Sequence, residues 1–284
     1  MLYPYTPHQR EQRDFTPRQS LSIAQIIALH STDAETVALS WMMLEHGVSL
    51  TVSGPTEPRP GAGKSTVLNA LLQFLPANAA LAYMSGKYET FDFTRLPEVD
   101  PATTYAVCNE ISDHQSTYMW GAAARRYLTL PAQGYHIITS VHADTIDDVL
   151  HLYQHDLRLR SEDLRRLGFI VNVGLIGQGK SPLRRWLTTH IVRTQPDPLH
   201  PEALTPLVLS RWNAADDTFE HASQSVLDEL AEWTGLAPQD FSAALKRRTD
   251  CLQELASGQG ADLNAVQAAI NDIRLFGKKD MNGV

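Results

Sequence analysis

The segment Val48–Pro76, VSLTVSGPTEPRPGAGKSTVLNALLQFLP, limits what this chain can fold into more than any other. A short β-branched run leads into a loop rich in glycine and proline, and behind Gly63-Lys64-Ser65 apolar residues recur at helical spacing. That is strand, loop, helix. A loop that wraps phosphates is written G-x-x-x-x-G-K-[ST], yet counting back from Gly63 puts Pro58 where the first glycine belongs. Setting aside Glu57, Pro58, Arg59 and Pro60 leaves GPTGAGKST, with Gly54 and Gly61 restored to phosphate-loop spacing. The expected nucleotide-binding residues are therefore Gly54, Pro55, Thr56, Gly61, Ala62, Gly63, Lys64, Ser65 and Thr66. Glycines let the backbone approach phosphate, Lys64 reaches the β/γ-phosphates, and the Ser65 hydroxyl serves Mg2+. Two prolines stiffen the insertion, which reads as an outward bulge.

The rest of the chain repeats that alternation. SLSIAQIIALH and DAETVALSWMMLEHG read as helices, the second with Asp33 as N-cap and Gly47 just past its end. AALAYM, TTYAVCNE and YHIITSV read as strands, with the helical stretch STYMWGAAARRYLTL before the last and another helix near DTIDDVLHLYQ after it. Strands separated by helices imply an α/β fold with a mainly parallel sheet covered on both faces. FIVNVGLI, RRWLTTHIVRT and PLVLSRW follow without helices and extend the sheet. The expected organisation is an N-terminal arm or linker over 1–20, a core over 21–222, and a small C-terminal helical lobe over 223–284 built from three helices.

Two strands end in residues that carry chemistry. Glu110 closes TTYAVCNE, where an acid at a strand's carboxyl end polarises water or organises a magnesium shell, although strand-end acids are commonly only solvated. His142 follows YHIITSV at the same edge, where ligands of open α/β sheets collect; it reads either as a γ-phosphate sensor or as a capping group. Asp144 or Thr145 with Asp148 reads as a helix start.

The ordered set GPT…GAGKST, NEISD and TSVHADTIDDVL, with DFTPRQSLSIAQII before it and LSRWNAADDTFE after it, resembles the secretion and pilus assembly ATPases. That superfamily serves type II and type IV secretion, type IV and Tad pili, and archaeal flagella. The chain is most similar to the Tad-like and archaeal branch, from about Arg13 to Ile273. The resemblance implies a RecA-like P-loop NTPase core, ATP and Mg2+ as cofactors, a homo-oligomeric and usually hexameric ring, and an inner-membrane platform protein as partner. By the same resemblance Lys64 and Ser65 are the phosphate-loop pair, and Glu110 is the catalytic acid, which also serves the metal. His142 belongs to the histidine box, and Glu89 is the last acid of the acidic box.

The pattern is not complete. Ser85 and Gly86 stand where the family has Glu-Asp, and Ser112 stands where it has an arginine. Of the arginines the family draws from an N-terminal domain, the arm offers Arg13 and Arg18. Two readings follow, an ATP-hydrolysing motor and a catalytically weak nucleotide-binding subunit of the same kind of assembly. A nucleic-acid motor fits less well. The net charge of -8 argues against bulk phosphate binding, and the arginines of DLRLRSEDLRRLG and SPLRRW read as a solvated or subunit-contact face. Two cysteines, no signal-peptide core and no spanning segment point to a cytoplasmic protein held at the membrane through partners.

Overall fold

LTVSG and FIVNV are buried on both sides of the pleat, with only small hydroxyls and one amide among the apolar side chains, as strands covered from both faces are. A computed structural model describes residues 21–55, 61–177, 182–192, 199 and 203–281, with side chains described to residue 275. The 1–20 arm with Arg13 and Arg18, Thr56, and the insertion 57–60 lie outside the described residues. Eight strands form one sheet: β1 (Leu50–Gly54), β2 (Ala80–Tyr83), β3 (Thr104–Ile111), β4 (His136–His142), β5 (Phe169–Ile176), β6 (Leu183–Val192), β7 (Pro206–Asn213) and β8 (Thr218–His221). Their order is β2-β3-β4-β1-β5-β6-β7-β8. The first five are parallel, and the last three add an antiparallel meander. The sheet is thus mixed and mostly parallel in an α/β fold, as the alternation of segments implies. β8 was not anticipated, because TFEH is short and largely exposed.

Helices cover both faces: α1 (Ile23–Ala28), α2 (Ala34–Glu45), α3 (Lys64–Leu71), α4 (Gly121–Leu128), α5 (Ile146–His151), α6 (Ser161–Leu164), α7 (Gln224–Thr234), α8 (Pro238–Leu255) and α9 (Leu263–Met281). Asp33 caps α2 by accepting the Thr36 N–H, and Thr145 with Asp148 forms a capping box on α5. Alternation in the strands divides the core. Leu50, Val52, Tyr105, Val107, Ile138 and Val171 face one apolar cluster, while Ala106, Cys108, Ile137, Val141 and Ile170 face a second. The helical stretch expected across 116–130 is confined to α4, since Gly121 at φ +63 starts it. The helix near DTIDDVLHLYQ continues beyond α5 as a π turn over Leu152–Asp156.

Leu230, Phe241, Leu245, Leu252, Val266 and Ile270 of α7–α9 belong to the first cluster together with Ile23, Trp41 and Phe74. The C-terminal helices therefore share one core with the sheet. Trp41 and Phe74 stack with ring centroids 5.0 Å apart, and Glu45 at the end of α2 pairs with Arg248 of α8 and Arg274 of α9. Truncating a buried aromatic such as Phe241 would cost about 3–5 kcal/mol. No helix among the described residues is long and apolar enough to cross a membrane.

Candidate functional site

Parallel pairing fixes which residues meet at the carboxyl edge of the sheet. Gly54 of β1 is in register with His142 of β4, and Val141 with Ile111 of β3, so the glycine loop, His142 and Glu110 leave three adjacent strands side by side. The chain runs from β1 out to β2 and works back through β3 and β4, then places β5 on the other side of β1. Such a reversal opens a crevice above β1, the position where open α/β sheets bind ligands.

Gly54 cannot carry a side chain, because a Cβ would lie 2.6 Å from the Val173 carbonyl oxygen of β5. Gly63 turns the chain into α3 at φ +95, a left-handed conformation that glycine adopts without strain, and it supplies no side-chain cap. The first N–H groups of α3 consequently begin at the site without a side-chain acceptor, an electropositive end suited to an anion. Lys64, at the first helical position, reaches back to the carbonyls of Gly54 at 3.4 Å and Pro55 at 3.5 Å and to His142 Nδ1 at 2.9 Å. Burial pushes its ammonium pKa below the ordinary lysine value, opposed by Glu110 and Asp144. Gly61, Ala62, Ser65 and Thr66 line the same cavity, of about 530 Å3.

Glu110 reaches this cavity through an irregularity in β3. Register with β4 breaks between Cys108 and Ile111, a bulge that re-aims the two residues between them. The Asn109 carbonyl accepts from Ser140 Oγ at 2.7 Å, and Glu110 meets His142 Nε2 with only 12% of its side chain exposed. An ammonium can only donate, so Nδ1 of His142 accepts from Lys64 and the neutral imidazole carries its proton on Nε2, toward Glu110. Lys64, His142 and Glu110 form one chain of contacts.

Glu89 is placed differently. Its carboxylate accepts the backbone N–H groups of Ser85 at 2.8 Å and Phe91 at 2.7 Å, holding the turn after β2, and it does not line the cavity. Gly86 in that turn has φ +57, and a Cβ there would run into the Thr117 carbonyl oxygen, so this backbone excludes an acidic side chain at that position. Ser112 is buried and bonds His114 Nδ1 at 2.6 Å; the His114 ring lies edge-on to His142 at 5.1 Å.

Three participants were not singled out from the sequence. Asn172 of β5, buried, donates to Ser53 Oγ at 2.9 Å and to the Ala143 carbonyl at 3.3 Å, tying three strand ends together beneath the loop. The arginines of SPLRRW, read as a solvated or subunit-contact face, line the cavity, Arg184 exposed and Arg185 buried. Arg184 Nε donates to the Gly61 carbonyl at 3.2 Å, and Arg185, only 4% exposed, forms two bonds to Asp217. Their delivery depends on β6 turning back against β5, which no local motif signals. The arginines around 160 do match a solvated face, Arg160 pairing with Glu162 and Asp163.

No family model matches the chain. It is 24% identical over 260 residues to uncharacterized protein MJ1287 of Methanocaldococcus jannaschii, covering 81% of this chain and 90% of that protein. It is 32% identical over 81 residues to uncharacterized protein MJ0900 of the same organism, covering 28% of this chain and 12% of that protein. Fold and site together define an α/β chain with a glycine-lysine loop at the carboxyl edge of a largely parallel sheet.

Proposed function

We propose that this chain is an ATP-binding and ATP-hydrolysing motor subunit with a RecA-like P-loop core, of the kind that powers a pilus or a protein secretion machine. The observation that carries the reading is the convergence of Lys64, His142 and Glu110 from neighbouring strand ends at the uncapped start of α3. The residues fit a magnesium triphosphate. A partly desolvated ammonium, free first-turn amides and a glycine at Gly54 suit an anion, and Ser65 and Glu110, which line the same cavity, would hold Mg2+ and its water shell. When bound, Mg2+ would supply neutralisation of the phosphate charge.

The roles of the chain's own residues follow. Lys64 exchanges His142 for phosphate, which releases His142 Nδ1 and leaves Nε2–H on Glu110. Glu110 orients the attacking water and takes up its proton as the water adds. The turn held by Glu89 packs against β3, the strand that carries this acid. The homo-oligomeric, hexameric ring, the inner-membrane platform partner and the cytoplasmic side of the membrane belong to the same reading, supported by the motif order alone. The second reading, a catalytically weak nucleotide-binding subunit, is favoured by Ser112 and Gly86, which place no arginine and no acid at those two positions.

The test is ATP binding by calorimetry together with phosphate release. Lys64→Ala should weaken ATP binding about a hundredfold or more by removing the charge that faces the phosphates. Equal affinity in the two proteins rejects the nucleotide site. Binding without turnover above background, alone or with a membrane partner, leaves the second reading.

A further inference from the structure

β6 runs antiparallel to β5, so its first residues arrive at the carboxyl end of β5, the edge where the glycine loop lies. Leu175 pairs with Arg184 there. The Arg184 side chain crosses the loop: its Nε holds the Gly61 carbonyl at 3.2 Å, and its Cδ lies 3.2 Å from where a Cβ on Gly63 would be. Gly63 leaves the room that this crossing needs.

Three cationic side chains line the cavity among the described residues, and they differ in what already holds them. Lys64 rests on His142 and two carbonyls, and Arg185 is closed off by its two-pronged bond to Asp217. Arg184 is anchored by Nε alone. Among the described residues no carboxylate pairs with it, and its two terminal nitrogens keep their donors for another acceptor. An exposed guanidinium fixed by one bond to the loop backbone, beside an uncapped helix start, is arranged for a bidentate grip on a phosphate oxygen pair.

We propose that Arg184 is a phosphate-contacting arginine supplied from β6 by this chain to its own nucleotide site. The inference rests on the nucleotide reading above. It goes beyond it by assigning a charge that does not have to come from another subunit.

Arg184 is exposed, so Arg184→Ala should fold with an unchanged thermal midpoint. Displacement of a fluorescent ATP analogue by tripolyphosphate reads the phosphate contact alone. The Ala variant should need about tenfold more tripolyphosphate, Arg184→Lys should recover part of that loss, and added guanidinium should recover part in the Ala variant but none in Lys64→Ala. Where turnover is measurable, Arg184→Ala should lower kcat about a hundredfold. Wild-type displacement and kcat in Arg184→Ala, with Lys64→Ala defective, overturn this inference and leave the nucleotide site standing. A wild-type protein that binds neither ATP analogue nor tripolyphosphate overturns both.

Discussion

Glu45 and Glu110 each sit in a cluster of one acid with basic neighbours, each largely buried, and the two clusters do opposite things. At Glu45, Oε1 accepts from Arg274 at 2.7 Å and Oε2 from Arg248 at 2.6 Å. Arg274 goes on to the Phe74 and Leu75 carbonyls, and Arg248 lies over the Trp41 ring at 5.1 Å. Apart from Arg248 Nε, which is buried with no partner among the described residues, the donors face carbonyls, an acid or an aromatic ring, and the cluster joins α2, α8 and α9. At Glu110 the contacts run in one line, Glu110 to His142 to Lys64, and the line ends at a cavity. A closed network fixes helices, whereas an open one keeps charge for something that arrives. Burial and ion pairing alone do not separate the two; what separates them is whether donors remain facing a cavity.

The largest effect is expected from breaking the closed cluster. Glu45→Ala strands two guanidinium groups whose side chains are 12% and 16% exposed, and should cost about 3–5 kcal/mol in urea unfolding, with ATP affinity intact below the transition. A loss under about 1 kcal/mol would show that the helices are held by apolar packing instead. Glu110→Gln makes the converse case. On the proposed reading turnover should fall about a hundredfold with ATP affinity nearly unchanged, because the acid would act in the transition state. A comparable loss of affinity would mean that Glu110 holds the ligand.

The turn beside the open cluster gives a third test. Introducing an acid by Gly86→Asp should destabilise the fold by about 2 kcal/mol, since φ is +57 and the Thr117 carbonyl blocks a Cβ. An unchanged urea midpoint would mean that this turn rearranges at little cost.

Asp33 and His221 lie between the two extremes, at 2.7 Å with side chains 32% and 29% exposed. The bond to Asp33 raises the His221 pKa against the opposing effect of burial. Burial raises the Asp33 pKa, but the bonds from His221 and Thr36 outweigh it and the net shift is downward. The His221 contribution is complete below its unfolded value near 6.5 and is lost as pH rises through the raised folded value. The Asp33 contribution is complete above about 3.8 and is lost as pH falls through its lowered value. His221→Ala should therefore destabilise by under about 1 kcal/mol near pH 5.5 and by less at pH 9, read from thermal midpoints at both. Equal losses at both pH values would assign the effect to packing.

Much of the open cluster was legible because its parts are local. A strand, a glycine turn and a helix follow one another in the chain, so Gly54, Gly63, Lys64 and Ser65 declare themselves by spacing, and Glu110 and His142 by standing where apolar strands end. Glu89 had the right residue type in the right order, but the fold of its turn gives both carboxylate oxygens to backbone N–H groups. That outcome depends on the conformation of residues 85–91, which spacing does not encode.

Local sequence determined the alternation of strands and helices, the caps at Asp33 and Thr145, and the phosphate-type loop, because each rests on contacts within a few residues. Only the tertiary structure decided which strand ends became neighbours. Register set Gly54 beside His142, a bulge in β3 turned Glu110 toward it, and the return of β6 along β5 carried Arg184 across the loop. The same holds for Glu45, whose arginine partners lie 203 and 229 residues further along the chain. Pairings across such separations follow from how the sheet orders its strands and where helices can cover its faces, and neither is written in any single segment.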